Sequence, residues 1–86
     1  MLFEGHVQGV GFRFSAAEIA RNFSVSGYVM NRPDGAVELV AEGDEQVLLQ
    51  FRSALLASHL SRYIRRAQTN WLPPTHSFQT FEIRYA

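Results

Sequence analysis

The feature that most constrains the fold is a hairpin signal near the middle of the chain. Two strand-like runs, 28–31 and 36–41, flank the segment RPDG at 32–35. Proline presets φ for a turn and glycine accepts positive φ, so this segment predicts a tight reversal between two antiparallel strands. The other elements are therefore expected to pack around a central hairpin.

Before the hairpin, the pattern predicts one strand and one helix. Residues 2–7 are strand-like, and the run 12–23 places its apolar residues on one face of a helix. That helix starts near Phe12 if the glycine-rich segment before it opens it directly. It starts after Ser15 if the spacing of Ser15 and Glu18 marks a capping box. The pattern leaves both starts open.

After the hairpin, the pattern predicts a second helix and two more strands. Gly27, just before the hairpin, is expected to end the first helical region. Asp44 is suited to the N-cap of the second helix, whose apolar stripe extends to Leu56. Strands are then expected over 63–71 and 81–85, on either side of a loop that contains two adjacent prolines.

The resulting order is βαββαβ with one short additional strand at the C-terminal end. Two helices can cover only one face of a sheet built from these strands. We therefore predict an α+β fold, a ferredoxin-like open-faced sandwich with an antiparallel-dominated sheet and two helices on one face. With 86 residues, the chain is expected to form a single domain, 1–86, and to be a monomer.

The composition of the chain excludes several kinds of catalytic and binding site. The chain has no cysteine and all of its basic residues are arginine, which excludes thiolate nucleophiles, disulfides and lysine Schiff bases. Its three histidines are too far apart in sequence to suggest a zinc site. Eight basic and eight acidic side chains balance, which argues against nucleic-acid binding. No apolar run is long enough to span a membrane and no signal peptide is recognisable, so a cytoplasmic location is expected.

The strongest candidate for a functional site is the segment GHVQGVGFR at 5–13. Gly9 and Gly11 lack Cβ atoms, so the backbone around them can curl its amides into a nest for an oxyanion, above all phosphate. The N-terminus of the following helix adds partial positive charge at the same place. Glycine in such a turn can also serve geometry alone, and the segment is neither a Walker loop nor a dinucleotide fingerprint.

Two side chains strengthen the functional interpretation. Arg13 follows the loop, and a guanidinium binds phosphate through two parallel charge-assisted hydrogen bonds. A cation at a helix start is unfavourable with the helix dipole unless an anion lies beside it, which favours a binding role over a solvated side chain. Asn31 ends a strand: its carboxamide either helps to form the turn or holds a water and steadies an anion.

These motifs resemble those of the acylphosphatase family. The segment 5–13 is similar to the family's loop G-x-V-Q-G-V-G-F-R, and 27–38 is similar to its hairpin G-x-V-x-N-x-x-D-G-x-V-E. The pairing of the two motifs is highly specific, and the resemblance covers essentially the whole chain. In place of the Gly-Pro that is common in the family after the second helix, this chain has ASHL at 57–60.

The resemblance implies hydrolysis of the carboxyl–phosphate bond of acyl phosphates without metal or cofactor. It implies that Arg13 and the loop amides hold the phosphoryl group while Asn31 orients the attacking water. The loop amides would be those of Gln8, Gly9, Val10, Gly11, Phe12 and Arg13. Arginine and asparagine are not usable acids or bases, which suits a substrate whose carboxylate leaves without protonation.

Two alternatives compete with the enzyme. One is a non-catalytic module that binds phosphate or carbamoyl phosphate, like the acylphosphatase-like domain of hydrogenase-maturation carbamoyltransferases; the presence of both Arg13 and Asn31 favours the enzyme. The other is an RNA-recognition module, which would display aromatic residues on its middle strands, and the run 36–40 has none. We therefore expect a small-molecule acyl phosphate as substrate, and neither nucleic acid nor a membrane as partner.

Overall fold

The computed structural model describes residues 1–85, in which five strands and two α-helices follow one another in the predicted order. The elements are β1 (Leu2–Gly5), α1 (Phe12–Ala20), β2 (Ser26–Asn31), β3 (Val37–Glu42), α2 (Glu45–Ala57), a 3₁₀ helix (His59–Tyr63), β4 (Ile64–Gln68) and β5 (Phe81–Arg84). Within these residues, no helix is both long and apolar enough to cross a membrane.

The strands form one sheet in the order β4-β1-β3-β2-β5. Neighbouring strands run antiparallel, except that β2 and β5 are parallel. Side chains of both helices share one core with the inward-facing residues of the sheet. The prediction of a ferredoxin-like open-faced sandwich is therefore confirmed.

The central hairpin forms as its turn signal predicts. β2 pairs with β3 along its whole length, and the last pair joins Asn31 to Val37. In the turn, the Gly35 amide donates to the Arg32 carbonyl at 3.1 Å. The Ala36 amide donates to Asp34 Oδ1 at 3.1 Å. The turn is thus closed by its own residues, which leaves Asn31 at the exposed end of a paired strand.

The start of α1 is fixed by the core. Phe12 is buried, and its ring centroid lies 5.1 Å from that of Phe3 on β1. Full burial of such a side chain stabilises the fold by about 1.5–3 kcal/mol. The glycine-rich loop therefore ends at a residue that is anchored in the core.

The first helix is shorter than its pattern predicts. α1 begins at Phe12, so the alternative start after Ser15 is wrong. It ends at Ala20, and the prediction that Gly27 ends this helical region is wrong as well, because Gly27 lies inside β2. A Cβ atom on Gly27 would stand 1.9 Å from the Val40 carbonyl oxygen. This glycine therefore permits the close approach of two strands.

Two strands are also shorter than predicted. β1 ends at Gly5 and not at residue 7, because the pairing with β4 becomes irregular there. β4 ends at Gln68 and not at residue 71. Gln68 pairs with Leu2, the first residue of β1, so the residues after Gln68 have no partner on that strand.

The second helix begins where predicted and ends in a turn of its own. Asp44 occupies the N-cap position, although its side chain makes no capping hydrogen bond. At the other end, the Ser58 hydroxyl donates to the Leu55 carbonyl at 2.7 Å and accepts from the Leu60 amide at 3.2 Å. This double contact turns the chain into the 3₁₀ helix without the glycine and proline of the family pattern.

The loop between β4 and β5 is fastened to the sheet by polar and aromatic contacts. Glu42 Oε2 accepts hydrogen bonds from the Thr75 amide at 2.6 Å and from the Thr75 hydroxyl at 2.9 Å. The ring centroids of Phe78 and Tyr28 lie 5.8 Å apart. Arg84 Cζ stands 4.2 Å from the Tyr28 centroid. These contacts hold β5 against β2.

Replacing Gly27 by alanine should strongly destabilise the fold. Its φ of +145° and the 1.9 Å approach to the Val40 carbonyl oxygen leave no room for a Cβ atom. We expect Gly27→Ala to lower the free energy of unfolding, measured with urea, by about 3–5 kcal/mol. Gly35→Ala is the control, because Gly35 has a φ of +93° and open space around it. It should lose only about 1–2 kcal/mol, and equal losses would contradict the steric explanation.

The contact of Glu42 with Thr75 should depend on pH. The hydrogen bond from the Thr75 amide, helped by the Thr75 hydroxyl, lowers the pKa of Glu42. A lowered pKa in the folded state means that the stabilisation is present above the unfolded value of about 4.3. It is lost as the pH falls through the lower folded-state pKa.

We expect the NMR shift of the Thr75 amide proton to titrate with a midpoint below about 4.3. Glu42→Gln should abolish this titration, whereas Glu45→Gln, which removes a carboxylate at the start of α2, should retain it. A midpoint at or above the unfolded value, or a titration that persists in Glu42→Gln, would contradict the assignment.

Candidate active site

The loop between β1 and α1 owes its shape to two left-handed glycines. Gly9 has a φ of +80° and Gly11, the N-cap of α1, has a φ of +75°. A Cβ atom at either position would meet no other atom within 4 Å. These residues are therefore required for backbone conformation and not for space, since an L-residue in this conformation costs about 1–2 kcal/mol.

The amides of this loop and of the first helical turn have no partner in the described part of the chain. None of the backbone N–H groups from Gln8 to Phe14 donates a hydrogen bond to a group of residues 1–85. The first turn of α1 contains no acidic residue, and no side chain caps it. Unpaired N–H groups and the positive end of the helix dipole are thus available to an anion.

Arg13 lies in this first turn and carries an uncompensated charge. Its Nη1 donates to the Arg84 carbonyl at 3.4 Å, and its Cζ lies 4.7 Å from the Tyr85 ring centroid. No acidic side chain among residues 1–85 forms an ion pair with it. Arg32, in contrast, is paired with Asp34 at 3.2 Å and with Glu38. Most of the donors of Arg13 therefore remain free for a ligand.

Asn31 presents its carboxamide at the end of β2. The side chain makes no hydrogen bond to the residues that the structure describes, and the residue is half-buried. The turn after it is closed by Gly35 and Asp34 instead. The interpretation of Asn31 as a turn-forming residue thus lacks a contact to support it.

Arg13 and Asn31 border the same shallow cavity, whose volume is about 200 Å³. The cavity is lined by Val7, Gly9, Gly11, Phe12, Arg13, Phe14, Asn31, Ile83 and Tyr85. A larger depression of about 420 Å³ lies between β1 and β4 and contains neither Arg13 nor Asn31. No group of three or more metal-ligating side chains occurs within 1–85.

Two residues of the predicted loop face away from the cavity. Val10 packs against the core. Gln8 turns its carboxamide to the hairpin, where Nε2 donates to the carbonyl oxygens of Arg32 at 2.8 Å and Ala36 at 3.0 Å. Sequence reasoning considered only the backbone amide of Gln8 and missed this contact.

Sequence reasoning also missed the apolar rim of the cavity. Phe14 and Tyr85 are 65% and 77% exposed, and both line the cavity together with Ile83. Phe14 lies off the apolar face of α1 that contains Phe12 and Ala16. An aromatic residue outside the buried stripe, directly after Arg13, was a signal that the sequence contained.

Comparison with known proteins supports the resemblance. The acylphosphatase family model matches residues 1–83. An acylphosphatase from Bacillus velezensis is 49% identical over 85 residues, which cover 99% of this chain and 94% of that protein. An acylphosphatase from Lactobacillus johnsonii is 37% identical over 86 residues, which cover 99% and 94% of the two chains.

Comparison with solved structures also supports the resemblance. The crystal structure of acylphosphatase from Bacillus subtilis superposes with a TM-score of 0.75 at 30% identity, covering 98% of this chain and 93% of that one. T. kodakarensis HypF matches with a TM-score of 0.81 at 32% identity, covering 96% of this chain but 11% of that one. The sequence motifs, the sheet order and the full-length matches lead to one conclusion: the chain belongs to the acylphosphatase family.

Proposed function

We propose that this chain hydrolyses acyl phosphates at the cavity between the loop 8–13 and the hairpin. Arg13 and the loop amides hold the phosphoryl group, and Asn31 orients the attacking water. The observation that carries the proposal is that an uncompensated guanidinium, a series of unpaired amides and a free carboxamide border one cavity. Family membership supports the coarser assignment as an acyl phosphate hydrolase.

The phosphoryl group is the anion that fits this arrangement. The guanidinium of Arg13 offers two parallel donors, and the loop amides offer several more. The N-terminus of α1 adds positive potential. In phosphoryl transfer, negative charge lies on the equatorial oxygens, and donors fixed around them stabilise the transition state without reorganising.

The reaction needs little more than this positioning. The water oxygen forms a bond to phosphorus while the bond from phosphorus to the acyl oxygen breaks, and the carboxylate leaves with the electron pair. Its conjugate acid has a pKa of about 4, so no acid is required. Asn31 accepts a hydrogen bond from the water and donates one to a phosphoryl oxygen. The water proton passes to the phosphate or to solvent.

The acyl group extends to the apolar rim formed by Phe14, Ile83 and Tyr85. Aromatic side chains that are mostly exposed can cover an apolar acyl group and gain contact area. Because the cavity is shallow, it does not enclose the acyl group tightly. We therefore propose that the chain accepts a range of acyl phosphates and favours those with a large apolar acyl group.

Benzoyl phosphate hydrolysis tests the two site residues. The unmodified protein should be active in the presence of a chelator. We expect Arg13→Ala to raise KM and to lower kcat by about 10²–10³, because it removes donors of the transition state. Asn31→Ala should lower kcat by a similar factor while its Kd for inorganic phosphate rises by less than about tenfold, because Arg13 and the loop amides still hold the anion and only one donor to it is lost.

Arg21→Ala is the matched control, since Arg21 lies at the exposed C-terminal end of the same helix and, within residues 1–85, forms an ion pair with Glu18 alone. It should be fully active. Full activity of Arg13→Ala would overturn the site assignment. Phosphate binding by the unmodified protein without turnover would favour the non-catalytic module over the enzyme.

Phe14→Ser tests the apolar rim. Loss of a partial aromatic contact of about 0.5–1.5 kcal/mol should raise KM for benzoyl phosphate about threefold to tenfold. KM for acetyl phosphate should change little, because the acetyl group is too small to cover the ring. Leu56→Ser, at an exposed position on α2, is the control. Equal effects of Phe14→Ser on both substrates would contradict the rim's role.

A further inference from the structure

The side chain of Gln8 joins the two halves of the candidate active site. Its Nε2 donates one hydrogen bond to the Arg32 carbonyl at 2.8 Å and another to the Ala36 carbonyl at 3.0 Å. A carboxamide nitrogen has two N–H donors, so both are used. Gln8 immediately precedes Gly9 in the loop, and Arg32 immediately follows Asn31 in the hairpin.

The two accepting carbonyls define the base of the turn. The Arg32 carbonyl also accepts from the Gly35 amide at 3.1 Å, and the Ala36 carbonyl accepts from the Arg32 amide at 2.8 Å. Each oxygen thus accepts two hydrogen bonds, one from the hairpin itself and one from Gln8. Within residues 1–85, the bonds of Gln8 are the only hydrogen bonds between loop 6–11 and hairpin 31–36.

We propose that Gln8 is a positioning residue that sets the place of Asn31 relative to the loop amides. This role rests on the proposed function. It concerns the attack of water on phosphorus, which is the step that needs both halves of the site. The phosphoryl group is held from the loop side, by the amides and Arg13. The attacking water is held from the hairpin side, by Asn31. The contact of Gln8 is therefore needed for attack and much less for binding.

The chemistry of the contact requires glutamine. Methionine has a similar length but no donor, so Gln8→Met leaves the two carbonyls without their second partner and frees the loop from the hairpin. A misplacement of about 1 Å costs about 10²-fold in rate. We expect kcat for benzoyl phosphate to fall about 10–100-fold in Gln8→Met, with the Kd for inorganic phosphate within about threefold of the unmodified protein.

A charged variant gives a second measurement. In Gln8→Glu, an ionised carboxylate faces two carbonyl oxygens and repels them, whereas the protonated acid can donate one hydrogen bond. Such surroundings raise the pKa of a carboxyl group. The ratio of kcat in Gln8→Glu to kcat in the unmodified protein should therefore rise as the pH falls from 7 to 5. The same ratio for Gln8→Met should be flat.

A double-mutant cycle separates positioning from general structural damage. If Gln8 acts through Asn31, Gln8→Met should lower kcat by less than about threefold in an Asn31→Ala background. Gln50→Met, at an exposed position on α2, is the matched control and should be fully active. Circular dichroism and urea unfolding verify that each variant is folded.

Three results would overturn the role of Gln8: an unchanged kcat in Gln8→Met, an equal loss of kcat in both backgrounds, or a loss confined to phosphate affinity. Failure of the proposed function has a different signature. In that case the unmodified protein is inactive, or Arg13→Ala is fully active, whatever the Gln8 variants do.

Discussion

The packing of Phe12 against Phe3 is the contact on which the candidate active site depends. It holds the first residue of α1 against β1, so the chain between these two elements must turn within a short loop. Two left-handed glycines give that loop its shape. The unpaired amides and Arg13 gather positive potential in one place, which by itself disfavours the folded state. The buried aromatic pair offsets that cost, so the core stabilises an arrangement that the site alone could not maintain.

The same arrangement explains why the proposed chemistry is simple. Neither of the two proposed site side chains is a usable acid or base at neutral pH, since Arg13 stays protonated and Asn31 does not titrate. Such a site can position reactants and stabilise charge, and an acyl phosphate asks for nothing else because its leaving group is already a stable anion. A phosphate ester, which releases an alkoxide, would need a proton donor, and neither Arg13 nor Asn31 can supply one.

Much of the fold could be predicted because its signals are local. The turn at 32–35, the apolar stripes and the order of the elements predicted the sandwich correctly. Arg13 was singled out by its position after the glycine loop and Asn31 by its position at the end of a strand, and the family resemblance linked the two. Long-range contacts could not be read in this way. Gly27 was misassigned because its reason is the Val40 carbonyl on another strand. The side chain of Gln8 was overlooked because its partners lie 24 and 28 residues further along the chain.

The parallel pairing of β5 with β2 has an architectural consequence. It directs the C-terminal end of β5 to the cavity, where Ile83 and the following Tyr85 lie beside Arg13. A segment joined after β5 would therefore leave the domain beside the candidate active site, and whatever it carried would stand next to the entrance of the cavity.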